Sequence, residues 1–413
     1  MHYKKGGRLY KPKDMLELIV NKNQDVETIA LVENGKMIEH YISTENERKR
    51  RLEGNIYIAQ VGNIINGMQA AFVDYGEKKK GFIHIKDALP KIDETKEKID
   101  NTINISKVIK PNQKILIQIK KDSDFTKGAR VSTHISLPGK YIVLMPNTDF
   151  ITISQKIASE DVKKELKKFI KANLPEGYGA IIRTSCEKAK FEDIKNDIDI
   201  LLERWKKIQT KYKQVKTAPK LIWESEGIIE KIITDLSSKN LENIVTNDKE
   251  VYNKLSNNYN KSKLKIMYEE KPNLLEKYEL EKQIEKLQDR KVWLNCGGFI
   301  TIDKTEALTA IDVNTGKFTG KKDLESTIFK VNKEATIEIA KQLRLRDIGG
   351  IIIIDYIDMA NNENKKKIEE LLKETFKSDR AKTQVEGFTK LNLMELTRKH
   401  ICSHLNGKWE VGS

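Results

Sequence analysis

The chain has 413 residues, 33% charged and 38% hydrophobic, which is too long for one ordinary domain and too mixed for a disordered chain. Its formal net charge of +15 favours a polyanionic partner, although a basic protein without one has the same balance. No run of about 18 apolar residues is present to span a membrane, and the basic stretch from Met1 to Lys13 lacks the apolar core of a signal peptide.

Residues 1–14 are expected to form a basic tail. From Leu16 to Ile42 two or three short strands are predicted (LELIVN, TIALVENGK, MIEHYI), with a turn at Glu33-Asn34-Gly35. A charged stretch, Glu45 to Arg51, marks a boundary. In residues 54–85 apolar positions alternate and glycines fall at turns, as in a small closed antiparallel barrel. The segment QKILIQIKKD, 113–122, adds a late barrel strand after a Lys-rich loop from Lys91 to Asn104. Strands resume over 130–154, followed by a helix from about Ser159 to Asn173, the strand GAIIRTS and a long charged helix from about Phe191 to Tyr212.

From Gly227 to Lys271 helices and short strands mix, and a helix is predicted at about 274–288. The last unit opens with strands from Phe299 to Asp303 and from Ala307 to Val313. In the helix that follows, about Leu324 to Arg346, Leu324, Ile328, Val331, Ala335, Ile339 and Leu343 fall near one face. Gly349-Gly350 would stop it, and the run Ile351 to Ile354 suits a strand buried on both faces. The cysteines, Cys186, Cys296 and Cys402, are far apart and contain no C-x-x-C pair, which fits a reduced cytoplasmic protein.

Two acidic clusters end apolar strands. In AIDVNTG, Asp312 and Asn314 are two apart and project from one face. In IIIIDYIDM, Asp355 directly follows the isoleucines. Two carboxylates and an amide make an all-oxygen set suited to Mg²⁺ or Mn²⁺ rather than Zn²⁺. The alternative is that both aspartates cap the next segment or pair with Arg344 or Arg346. Glu325, Asp347 and Asp358 read as helix-end or surface charges. In the barrel Phe72, Tyr75 and Phe82 are interleaved with Lys78, Lys79 and Lys80, a mix that either stacks on bases or fills the core. Arg183-Thr184 at a strand end, with Gly139 before YIVLM, could grip a terminal phosphate or be plain surface.

The runs GGFITIDKTEALTAIDVNTGKFTG and NKEATIEIAKQLRLRDIGGIIIIDYIDM resemble the catalytic core of the ribonuclease E/G family. AAFVDYGEKKKGFIHI, SLPGKYIVLMP, IIRTS and DRAKTQVEGFTKLNLMELTRK match in the same order, so that the resemblance covers about residues 16–400. It implies an α+β multidomain fold. An RNase H-like subdomain split between 15–50 and 229–287 would hold an inserted OB-fold RNA-binding domain (51–133) and a 5′-sensor (134–228), with a DNase I-like catalytic subdomain at 288–409.

The implied activity is magnesium-dependent cleavage of single-stranded RNA in rRNA processing and mRNA decay. Products would carry a 5′-phosphate and a 3′-hydroxyl, and a 5′-monophosphate would stimulate cutting. By the resemblance Asp312 and Asp355 hold the Mg²⁺, and Asn314 positions the scissile phosphate or the metal's water. Phe72, Phe82 and Lys127 grip RNA, while Gly139, Val143, Arg183 and Thr184 sense the 5′ end. Family members continue into a C-x-x-C zinc link and a small dimerising domain. Only HICSH (His400, Cys402, His404) stands at that point here, so structural Zn²⁺ is not expected and homodimerisation is left open. A non-catalytic RNA-binding protein or scaffold that kept the fold is the alternative, and the retained Asp312, Asn314 and Asp355 speak against it.

Overall fold

β-Branched and aromatic residues drive the N-terminal segment into three antiparallel strands, Leu16–Asn23, Val26–Glu33 and Lys36–Thr44. The expected turn forms between the second and third: Asn34 and Gly35 take φ of 50° and 77°, and Glu33 pairs with Lys36. The computed structural model describes residues 15–89, 104–123, 127–236, 241–260, 264–270, 273–316 and 324–402. The basic tail, most of the Lys-rich loop before Asn104, and His404 lie outside the described residues. The chain divides into two units, one made of Met1–Glu47 with Lys239–Ser413, the other of Arg48–Ser238.

In the first unit the N-terminal strands belong to a five-stranded sheet. Leu241–Thr246 runs parallel to Leu16–Asn23, and Lys265–Tyr268 runs parallel to Leu241–Thr246 across the helix Lys249–Asn258. The helix expected at 274–288 is broken into Leu274–Lys277 and Glu281–Glu285, because Glu279 adopts φ 55°. A six-stranded sheet follows in the order Lys291–Trp293, Phe299–Lys304, Leu308–Asn314, Gly350–Asp355, Leu393–Arg398, Thr383–Phe388. The helix Leu324–Leu345 touches both this sheet and Lys36–Thr44. Val331, Ala335, Ile339 and Leu343 are fully buried as the periodicity requires, whereas Leu324 at its start is 76% exposed.

The end of this helix differs from expectation. Asp347, ahead of the glycine pair, ends the helix at φ 43°, with Ile348 N–H donating back to the Leu343 carbonyl at 3.0 Å, while Gly350 takes φ 93° where the next strand begins. A non-glycine residue bears that strain because its side chain is held. Asp347 is 1% exposed rather than a surface charge, and it pairs with Arg398, whose guanidinium also binds Asp379 at 2.8 Å. The Asp347 carboxylate further accepts the Ile401 and Cys402 N–H groups, at 3.1 and 2.7 Å. A second buried pair joins Arg380 to Glu39, with Tyr41 hydroxyl donating to the same carboxylate at 2.8 Å. Burial pushes the Glu39 carboxyl up, but Arg380 outweighs it and leaves the group below its ordinary value.

In the second unit five strands close a barrel: Ile56–Ile65, Ala70–Asp74, Gly81–His84, Arg130–Ser132 and Lys114–Lys121, the last pairing back with the first. Lys220–Trp223 adds to its edge. A four-stranded sheet (Leu137–Pro138, Ile142–Met145, Gly179–Ile182, Ile151–Ile153) packs against the helices Glu160–Asn173 and Phe191–Gln214. Ser159 caps the first of these by accepting Val162 N–H. The result is a mixed α/β fold with a closed five-stranded barrel and three further sheets among the described residues. None of its described helices is long and apolar enough to cross a membrane.

Replacing Arg398 by Ala would strand two carboxylates that are 1% and 3% exposed. We expect a loss of about 3–5 kcal/mol, read as a lower urea midpoint. A loss under about 1 kcal/mol would show that water reaches the pair, as it does for exposed ion pairs.

Candidate functional site

Strand alternation sorts the central strands of the six-stranded sheet into two faces. Ile311, Val313, Ile352 and Ile354 are buried against the helices Leu324–Leu345 and Asn362–Phe376. Asp312, Ile353 and Asp355 therefore take the opposite face. That face is open, with Ile351 51% exposed, so the isoleucine run is buried on one side only. Both helices that cover this sheet lie on the other side, where a parallel sheet covered on two faces would need a second layer.

Leu308–Asn314 and Gly350–Asp355 run parallel with Asp312 directly opposite Asp355. Adjacent strands lie about 4.8 Å apart, so the two carboxylates are neighbours. Asn314 Nδ2 donates to Asp312 Oδ2 at 2.5 Å. Among the described residues no Lys or Arg pairs with either aspartate. Arg346 donates to Gln342, and Arg344 to Ser378, instead of reaching them. Partial desolvation, and then the charges of Asp312 and Asp358, hold the Asp355 carboxyl above its ordinary value. Two like charges set side by side without a cation are what a divalent ion with hard oxygen ligands would relieve, so the donor set fits Mg²⁺ or Mn²⁺.

The chain just beyond Asp355 is fixed by the long helix. Asn332, fully buried, donates to the Ile357 carbonyl at 2.8 Å and accepts its N–H at 3.1 Å. Thr336 meets Tyr356 hydroxyl at 2.9 Å. Glu325 accepts the Ala360 and Asn361 N–H groups, both at 3.2 Å, as the helix-end residue it was read to be.

On the barrel, Phe72 sits opposite Phe82 with ring centroids 6.0 Å apart at 68°. Both are half-buried on the outer surface, while Ala71, Val73 and Ile83 fill the inside. Tyr75, which the sequence groups with them, belongs to that core and stands edge-on to Tyr57 at 5.4 Å. Lys127 is exposed, two positions before Ala129, whose carbonyl accepts Phe82 N–H at 2.7 Å.

The four residues to which the resemblance gives 5′-end sensing lie around Ile142–Met145. Arg183 Nη1 donates to the Gly139 carbonyl at 2.7 Å, and Nη2 pairs with Asp235. Thr184 hydroxyl meets Ser154 hydroxyl at 3.0 Å, and Val143 pairs with Ile181. Position 139 demands glycine: a Cβ there would lie 2.6 Å from the Asp197 carboxylate, which accepts the Lys140 and Tyr141 N–H groups. Sequence reasoning missed Asp197, Asp235 and Asn332. Each acts on a partner far along the chain (57, 52 and 25 residues), and no local pattern marks such a partner.

Comparison with known proteins gives these features a context. The profile of the ribonuclease E/G family matches residues 136–401. Ribonuclease G of Haemophilus influenzae is 37% identical over 394 residues, covering 94% of this chain and 80% of that protein. Ribonuclease G of Escherichia coli is 36% identical over 392 residues, with 93% and 79% coverage. Ribonuclease E of Buchnera aphidicola subsp. Schizaphis graminum is 34% identical over 401 residues, covering 95% of this chain and 41% of that protein.

The facing aspartates have a measurable cost in the absence of a cation. A carboxyl held above its ordinary value weakens the fold while ionised, and the penalty fades as pH falls through that raised value. Asp355→Asn should therefore stabilise the protein in EDTA at neutral pH by about 0.2–1 kcal/mol, the usual size of a cross-strand like-charge term. An unchanged or lower urea midpoint would show that the two carboxylates do not repel.

Proposed function

The chain belongs to the ribonuclease E/G family and is an endoribonuclease, and we propose that it cuts single-stranded RNA with Mg²⁺. The observation that carries this reading is the in-register pair Asp312 and Asp355 on an open sheet face, with no salt bridge to either among the described residues. These two side chains would hold the ion. Mg²⁺ bound there supplies a water of lowered pKa and offsets charge developing on the phosphate. Asn314 donates its amide to Asp312, and would orient that carboxylate and the scissile phosphate or the metal's water. Products would carry a 5′-phosphate and a 3′-hydroxyl.

The outward Phe72 and Phe82, with Lys127, suit a stacking surface flanked by charge, and we read the barrel as an OB-fold that grips RNA. Arg183, Thr184, Gly139 and Val143 form the pocket for a 5′-monophosphate. In that pocket Asp235 and the Gly139 carbonyl hold the guanidinium in place. The order of the five-stranded sheet, with three antiparallel strands followed by two parallel ones, supports an RNase H-like subdomain over 15–50 and 229–287. The six-stranded sheet covered on one side supports a DNase I-like catalytic subdomain over 288–409. Substrates of this class would be rRNA precursors and mRNA.

Asp312→Asn and Asp355→Asn should abolish cleavage while RNA affinity stays within a few-fold, since phosphate contacts lie elsewhere. Near-normal cutting by either variant in Mg²⁺, or cutting by the unaltered chain in EDTA, would remove the metal from this site.

Arg183→Ala should erase most of the preference for 5′-monophosphorylated over 5′-hydroxyl RNA and leave slow, end-independent cutting. The readout is a rate ratio on two substrates, so inactive protein cancels. An undiminished ratio in the variant would detach this pocket from end sensing.

A further inference from the structure

Beside the acid pair, the open sheet face carries an aromatic cluster that the reading above does not use. Trp293 pairs in register with Phe299, which pairs with Asn314 on the next strand. One row over, Lys291, Thr301, Asp312 and Asp355 follow each other across four strands. Direct cross-strand partners point to the same face, so the aromatic row and the acid row share the uncovered side. Trp293 is 60% exposed, a large apolar surface to leave in water on an otherwise polar sheet edge.

The cluster is built rather than incidental. Trp293 and Phe299 rings stand edge to face with centroids 5.3 Å apart. Lys291 Nζ lies 4.1 Å from the Trp293 centroid and 3.6 Å from that of Phe299. The turn joining the two strands is clamped from behind by Glu334 of the long helix, which accepts the Asn295 and Cys296 N–H groups. Gly297 closes this turn at φ 92°, its N–H donating to the Leu294 carbonyl. The rings are thus held on one hairpin, Phe299 one strand and Trp293 two strands from Asp312, each offset by two residues along the strand, so that Trp293 lies roughly 10 Å or a little more from it.

We propose that Trp293, Phe299 and Lys291 form a nucleotide platform beside the catalytic acids, which stacks one base of the single-stranded RNA flanking the cut. The proposal rests on the ribonuclease reading of Asp312 and Asp355 for its substrate. Aromatic faces accept any base, and an ammonium group at their rim suits the adjoining phosphate. An exposed indole and a half-buried phenyl ring with a cation at their rim, on the same face as the two carboxylates read as the metal site, favour a nucleotide over an apolar protein partner, which Lys291 would oppose. Base and phosphate would be held on the sheet itself, independently of the barrel surface around Phe72 and Phe82.

The experiment uses the full chain and a 5′-monophosphorylated, A/U-rich oligoribonucleotide. Base stacking quenches indole emission, so RNA should quench the unaltered protein more than Trp293→Phe. Trp205, Trp223 and Trp409 are common to both proteins. In single-turnover cleavage Trp293→Ala should raise the half-saturating concentration by roughly five- to a hundredfold, the range of one lost base stack. The limiting rate should change far less, Trp293→Tyr should restore most of the affinity, and the melting temperature should hold because the side chain is exposed. Equal quenching in Trp293→Phe, or unchanged half-saturation in Trp293→Ala, overturns the platform and leaves the nuclease reading standing. RNA bound but never cut would sink the nuclease reading instead, and the emission difference would still decide the platform.

Discussion

The register between Leu308–Asn314 and Gly350–Asp355 governs what the open face of the six-stranded sheet presents. Side chains alternate with a period of two, so a slip of Gly350–Asp355 by one residue would turn Asp355 into the helical core, bring Ile354 out to solvent and part the two aspartates. The hydrophobic side fixes that register: Ile311, Val313, Ile352 and Ile354 fit under a helix whose own buried residues recur at every third or fourth position. Packing on one face thereby sets the geometry of carboxylates on the other. Arg398 then ties the end of the same helix to the neighbouring strand and to the approach to Cys402, through two carboxylates from separate parts of the chain. The open face needs no support of its own.

Much of this was legible in the sequence because local rules held. The Asn34-Gly35 turn, the helix beginning near Ser159 and the long helix follow from residue type and spacing alone. The barrel strands were readable from alternation, and Asp312 and Asn314 from a spacing of two on a strand. The misreadings share a cause, which is that burial on a second face is a tertiary fact. Four isoleucines in a row look identical whether helices cover one side of the sheet or both. Asp347 looks like a solvent charge until Arg398 arrives from 51 residues away. Tyr75 and Phe82 have the same interleaved setting, yet one turns into the barrel and the other out of it.

The two ways this protein handles buried or crowded charge are instructive together. Arg398 and Arg380 sit in dry surroundings with their carboxylates fully engaged, which fixes conformation at a desolvation cost. Asp312 and Asp355 are exposed, and among the described residues no cation pairs with them. The first arrangement locks the scaffold, and the second leaves like charges side by side on the open face. Local consistency is relaxed at this pair.

The chain order of the two units has a bearing on synthesis. Strands Leu16–Asn23 to Lys36–Thr44 leave the ribosome first, yet the edge of Leu16–Asn23 finds its parallel partner only when Leu241–Thr246 has been made. In that interval all of Arg48–Ser238, with its own barrel and its own core, emerges and is competent to fold. The early hairpins must wait with an unpaired apolar strand edge, a surface open to wrong pairing with other nascent chains. Translation speed between codons 48 and 240 thus sets how long that edge stays uncovered.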